Sequence, residues 1–192
     1  MEVDNLSDVY EKIIIGGGFY GLYSSLVCGK AGQRVLLIET ESEPFKKATY
    51  INQARVHMGY HYPRSISTAL KSKKYFDKFN NDFPKCVEKS FDQIYAVSND
   101  FSWTNGKQFQ KFCNDAGIYC RAIHTEQYFK PKLCDAAFLT QEYAYDASIL
   151  KEKLLGDIKA CPNVTMKFGT KIASIENNGE QFVINAASRG GG

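Results

Sequence analysis

Tyr10-Glu11-Lys12-Ile13-Ile14-Ile15-Gly16-Gly17-Gly18-Phe19-Tyr20-Gly21 is the stretch on which the fold turns. It opens with a short run ending in three isoleucines, which suits a strand buried on both faces in a parallel sheet. Gly16, Gly18 and Gly21 then match G-x-G-x-x-G. The first glycine permits the tight turn out of the strand. The second lets the backbone approach a pyrophosphate, and the third lets the next helix pack close to the strand. Leu22, Leu26 and Gly29 follow at near-helical spacing, and Ala31-Gly32-Gln33 stops that helix. Arg34-Val35-Leu36-Leu37-Ile38-Glu39 is a second strand ending in an acid, 18 residues after Gly21. A carboxylate there accepts both hydroxyls of an adenosine ribose and repels a 2′-phosphate, which disfavours NADP. The helix start offers backbone N–H groups and a positive dipole end to phosphate. A lone glycine motif is weak evidence, and its bland reading is a glycine-rich turn in an unrelated α/β protein. Strand, turn, helix and acid in order point instead to dinucleotide binding.

Composition sets the frame around that motif. The chain has 192 residues, 44% hydrophobic and 23% charged, which excludes a disordered, collagen-like or coiled-coil protein. With 24 Lys and Arg against 21 Asp and Glu, the net charge of +3 gives no reason to expect a nucleic-acid partner. The longest apolar runs, Ile13–Ile15 and Val35–Ile38, are far too short for a membrane span. Met1-Glu2-Val3-Asp4-Asn5 is acidic, unlike a signal peptide. The six cysteines form no C-x-x-C pair and none stands at zinc-ligand spacing from a histidine, so no metal is expected. Free core thiols in a reducing cytoplasm follow, and the expected location is cytoplasmic.

Past Glu39, Thr40 to Lys47 reads as a polar loop, with Lys46-Lys47 a small basic cluster. Ala48 to Ser65 is poor in aliphatic residues and rich in His, Arg and Tyr, which reads as poor core and good site material. Ser65 is a candidate cap for a helix from Ile66 to about Asn80, with Leu70, Tyr75, Phe76 and Phe79 on its apolar side. A strand at Gln93–Val97, a helix over Ser102–Ala116 stopped by Gly117, and a strand at Ile118–Ile123 follow. Phe109, Phe112, Phe129 and Phe138 read as core. Asp146 precedes a helix over Ala147–Ala160 with a stripe of Leu150, Leu154, Leu155 and Ile158. Strands at Val164–Phe168, Lys171–Glu176 and Gln181–Ala186 close the chain, the last two joined at Asn178-Gly179. Gly190-Gly191-Gly192 reads as linker-like, a sign of truncation or of a scar.

With these features in view, the chain resembles the amino-terminal portion of FAD-dependent oxidoreductases of the D-amino-acid oxidase superfamily. That group includes glycine-, sarcosine- and 2-hydroxyglutarate-oxidising flavoenzymes. The resemblance rests on Tyr10–Gly18 and Val35–Glu39, on Asn52-Gln53-Ala54-Arg55, and on the Asp146–Ala160 helix with its following strands. It implies an α/β fold with a discontinuous Rossmann-like FAD-binding domain, residues 1–65 and 145–192, and an inserted α+β substrate-side segment, 66–144. It implies oxidation of a small amino or hydroxy acid by hydride transfer to flavin. The cofactor residues it implies are Gly16, Gly18, Phe19, Tyr20, Gly21, Glu39, Thr49, Asn52, Ala54, Arg55 and Ile172. Ser25, and Ala186-Ala187-Ser188 in place of Ala-x-Gly, depart from the family pattern. The family's carboxy-terminal half and second glycine-rich segment have no counterpart, so the chain is expected to hold FAD poorly and not to turn over alone. The alternatives are an NAD-binding dehydrogenase and a non-catalytic fragment.

His61 and Arg64 are the candidate catalytic residues. An imidazole there can meet flavin or substrate, or simply bond backbone in a loop. Arg55 and Arg64 can each grip a carboxylate or pyrophosphate through two hydrogen bonds, or form surface ion pairs. A small-molecule substrate is the expected partner; oligomeric state is not legible.

Overall fold

The computed structural model describes residues 9–188. The readings made on Met1–Asn5 and on the terminal glycines lie outside the described residues. Contacts divide the chain into two units, Met1–Asn52 with Ala147–Gly192, and Gln53–Asp146. Residues 53–65 and 145–146, grouped by sequence with the first unit, fall in the second.

In the first unit, β1 (Lys12–Ile15), β2 (Val35–Ile38) and β9 (Val164–Lys167) form a parallel sheet in the order β1-β2-β9. Its middle strand is buried at every residue, as an apolar run in a parallel sheet requires. β1 is less enclosed than its three isoleucines predict. It pairs only with β2 among the described residues, and Ile15 is 57% exposed. Helix α1 (Phe19–Lys30) and helix α5 (Ala147–Lys159) pack together, burying Leu22 and Leu26 of one and Leu150, Leu154 and Ile158 of the other. Ser25, a departure from the small apolar residue expected there, is fully buried; its hydroxyl donates to the Gly21 carbonyl at 2.8 Å. Helix α2 (Ala48–Ile51) is a single turn at the start of the stretch expected to supply site residues. The unit ends in the hairpin of β10 (Thr170–Asn177) and β11 (Phe182–Ser188), with Gly179 at φ 93° in its turn.

The second unit holds two antiparallel sheets. One orders β3 (Arg55–Val56), β8 (Tyr143–Tyr145) and β4 (Val87–Glu88) as β3-β8-β4. The other orders β5 (Gln93–Ser98), β7 (Cys134–Thr140) and β6 (Cys120–Ile123) as β5-β7-β6. Helices α3 (Ile66–Asp82) and α4 (Gly106–Ala116) pack on a core containing Tyr60, Phe76, Phe109, Phe112 and Phe138. Helix α4 starts four residues later than its apolar pattern predicts. Asn105 and Gln108 form a capping box, Asn105 Oδ1 accepting the Gln108 N–H and Gln108 Oε1 accepting the Asn105 N–H. Gly117 ends the helix in the left-handed region at φ 61°, as expected. Ser65 precedes α3 without a side-chain cap; its hydroxyl meets that of Thr68 at 2.8 Å instead. The buried side of α3 is Ala69 and Phe76; Leu70 and Tyr75, assigned to it by spacing, are exposed.

Candidate functional site

Two cavities, one in each unit, gather the candidate residues. The first, of about 480 Å³, is lined by Gly16, Gly18, Glu39, Lys47, Thr49 and Ile172 among others. The glycine turn that forms its floor is held by sterics. Gly16 sits at φ 106°, a conformation that side chains disfavour. A Cβ on Gly21 would lie 1.9 Å from the Gly16 carbonyl oxygen, so helix α1 can come this close only with glycine there. At the end of β2, Glu39 accepts the Gly17 N–H at 2.5 Å and the Glu41 N–H at 2.9 Å. Its carboxylate is thereby clamped at the cavity wall. Thr49 Oγ1 accepts the Phe19 N–H at 3.0 Å, tying α2 to the start of α1.

These residues can hold the adenosine half of a dinucleotide: a bare glycine turn at a helix N-terminus for the phosphates, and a fixed carboxylate for the ribose. Five of the expected cofactor residues, Gly16, Gly18, Glu39, Thr49 and Ile172, line this cavity. Phe19 and Gly21 stand behind it through the contacts just given, whereas Tyr20 is 81% exposed. Asn52 is exposed after α2, and Ala54 and Arg55 belong to the second unit. There the Ala54 carbonyl accepts the Tyr145 N–H, and Arg55 pairs with Ala144 across β3 and β8. Those three are sheet and turn residues rather than lining of the first cavity. Lys47, which the sequence left as part of a basic cluster, is on the wall and reaches Glu41 at 3.6 Å.

The second unit brings His57 and His61 together on a buried carboxylate. Glu142, 4% exposed, accepts the Met58 N–H at 3.1 Å; His57 Nδ1 lies 3.4 Å from one of its oxygens and His61 Nε2 4.0 Å from the other. The ligating atoms of the three all fall within 4.8 Å of one another. Such a group can hold a proton between imidazole and carboxylate, and two imidazoles with a carboxylate also suit a divalent transition metal. Burial pushes the His61 imidazole below the usual histidine range, against the pull of Glu142. The stretch read as poor core material contributes to the core after all: Val56, Met58 and Tyr60 are buried while His57 and His61 face out. That alternation was a legible signal. Glu142 was not, because 85 residues separate it from His57.

The second cavity, of about 400 Å³, is lined by His61, Arg64, Tyr95, Phe101, Trp103 and Phe109 among others. The two candidate catalytic residues therefore share one cavity. The Arg64 guanidinium lies over the Trp103 ring, 4.5 Å from its centroid.

No family model matches the chain. The chain is 30% identical over 118 residues to an FAD-dependent monooxygenase, FPY4, of Fusarium mangiferae; the match takes in 62% of this chain and 32% of that protein. Among solved structures it superposes on the L-alpha-glycerophosphate oxidase of Mycoplasma pneumoniae at a TM-score of 0.74, covering 92% of this chain and 49% of that one at 15% identity. Its fold is that of the FAD-dependent oxidoreductases. Glycine oxidase of Geobacillus kaustophilus gives the same result, with a TM-score of 0.70 over 92% of this chain and 51% of the oxidase, at 15% identity. The resemblance read from the glycine turn is thus borne out in fold by these oxidases, while the sequence relative is an FAD-dependent monooxygenase. The chain spans about a third of the matched monooxygenase and half of the solved oxidases. No helix among the described residues is long and apolar enough to cross a membrane.

Proposed function

We propose that the chain is the FAD-binding portion of an FAD-dependent oxidoreductase acting on a small amino or hydroxy acid. In this reading the first unit is a Rossmann-like domain built from two separated pieces, and the second unit is its substrate side. The observation that carries it is the convergence of Gly16, Gly18 and the clamped Glu39 on one cavity with Thr49 and Ile172. When bound, FAD supplies the hydride acceptor. Glu39 would hold the ribose, the Gly16–Gly21 turn the diphosphate and the backbone at Ile172 the adenine. On the substrate side, Arg64 pairs with the carboxylate, and His61, backed by Glu142, accepts the proton leaving the hydroxyl or amine.

A second reading, an FAD-dependent monooxygenase, is favoured by the sequence relative of Fusarium mangiferae, which is one. Both need FAD, so one experiment tests their shared basis. The cofactor is released from protein purified from its native source and its absorption spectrum recorded. Flavin bands at one equivalent per full-length enzyme are the expected result; a bound nicotinamide with no flavin would refute both readings.

A further inference from the structure

The loop between β5 and α4 spends stability to present aromatic rings. Phe101 is fully exposed and sits at φ 58°, in the left-handed region that residues with a side chain avoid. Trp103 is 82% exposed. Neither ring is out through fraying, because both ends of the loop are pinned. Asn99 donates through its backbone to the Leu133 carbonyl and through its side chain to the Lys132 carbonyl, both at 3.0 Å. At the other end stands the Asn105–Gln108 capping box. Strain and exposed aromatics held by a pinned loop are features of ligand sites.

The cavity beside this loop adds a charge. Arg64 lies on Trp103, and no carboxylate pairs with it among the described residues. A guanidinium over an indole can still offer its N–H groups to a carboxylate's two oxygens. Deeper in, Tyr95 stacks on Phe109 at 4.7 Å between centroids and 5° between planes, giving an apolar wall. His61 meets the Tyr95 ring edge-on at 5.5 Å.

We propose that this cavity binds a carboxylate carrying a planar apolar body, its carboxylate on Arg64 and its body between the Phe101–Trp103 loop and the Tyr95–Phe109 wall. Calling that molecule the substrate rests on the oxidoreductase reading above; the binding site itself does not. About 400 Å³ accommodates a single-ring acid.

Trp103 is the only tryptophan in the sequence, so its emission reports on this cavity and needs no flavin. The probes are phenylacetate, its neutral counterpart phenylacetamide, and acetate, which lacks the ring. Phenylacetate is expected to change Trp103 emission saturably, with acetate inert and phenylacetamide much weaker. Arg64→Gln is expected to weaken phenylacetate by about tenfold or more, with Arg64→Lys in between, since lysine keeps the charge and loses the fork. Arg64 is exposed, so circular dichroism of both variants should match the parent. No saturable response, equal binding of phenylacetate and phenylacetamide, or unchanged binding in Arg64→Gln would each overturn the proposal. The two readings fail separately. A flavin-free protein that still responds leaves the cavity standing, and a flavin-loaded protein with no response removes the cavity alone.

Discussion

Glu39 Oε2 lies 2.5 Å from the Gly17 amide nitrogen, so the acid at the end of β2 is fastened to the glycine turn at the end of β1. The carboxylate also takes the Glu41 N–H, and Glu39 lines the cavity. The glycine turn and the acid are thus one rigid object, oriented before any ligand arrives.

That object depends on the close approach of α1. Gly21→Ala would set a Cβ 1.9 Å from the Gly16 carbonyl oxygen, and the helix start must shift. A loss of about 1–3 kcal/mol in denaturant unfolding is expected, as for other overpacked sites. Gly156, in α5, is the control: nothing lies within 4 Å of its added Cβ, so Gly156→Ala should gain about 0.5–1 kcal/mol. Equal effects at the two positions would contradict the packing described.

Tyr60 ties the His57–His61 turn to the rest of the second unit. It is fully buried, its hydroxyl donating to the Tyr119 carbonyl and accepting the Gln141 N–H at 3.0 Å. Tyr60→Phe keeps the shape and strands both partners, so unfolding experiments should show a loss of about 1–3 kcal/mol. A neutral substitution would mean that water replaces the hydroxyl.

His61 should titrate below the ordinary histidine pKa of about 6.5, because burial disfavours its charged form. The unfolded chain then takes up this proton first. Its contribution to stability is intact above about pH 6.5 and is lost as the pH falls toward the folded-state value. With 42% of the side chain exposed, solvent screening keeps the effect small. NMR titration of the ring protons reads it directly. Glu142→Gln removes an attraction for the proton and should lower the value further; a pKa at or above the ordinary one would contradict the burial.

Cysteine reactivity should follow enclosure. Burial pushes the Cys86 thiol up to about 11. A hydrogen bond with Cys120 and burial push Cys113 up as well, while the same bond pulls Cys120 down. Mass spectrometry after brief alkylation at neutral pH should find Cys86 and Cys113 unmodified and Cys120 labelled ahead of Cys113. Early labelling of Cys113 would contradict this order.

The first unit was more legible than the second for a physical reason. Its strands, turn, helix and acid are consecutive, and each residue type is dictated by backbone geometry, as at Gly16 and Gly21. The helices carrying Leu150, Leu154 and Ile158, and Phe109 and Phe112, were also legible from their period. What was not legible was what the fold joins from afar. Glu142 reaches His57 and His61 only through the pairing of β3 with β8. The late start of α4 was readable in Asn105 and Gln108, yet the apolar pattern outweighed it. The part of the pinned loop from Ser102 through Trp103 to Asn105 therefore carries a helix expectation that the structure does not meet.

The most direct test of the central claim is FAD affinity in Glu39→Ala, measured by flavin-fluorescence titration in the full-length enzyme beside the parent, with thermal unfolding confirming that both are folded. The carboxylate's hydrogen bonds to the ribose are each worth about 1.5–3 kcal/mol, so at least a roughly tenfold weakening is predicted. Unchanged FAD affinity in a folded Glu39→Ala protein would contradict the account.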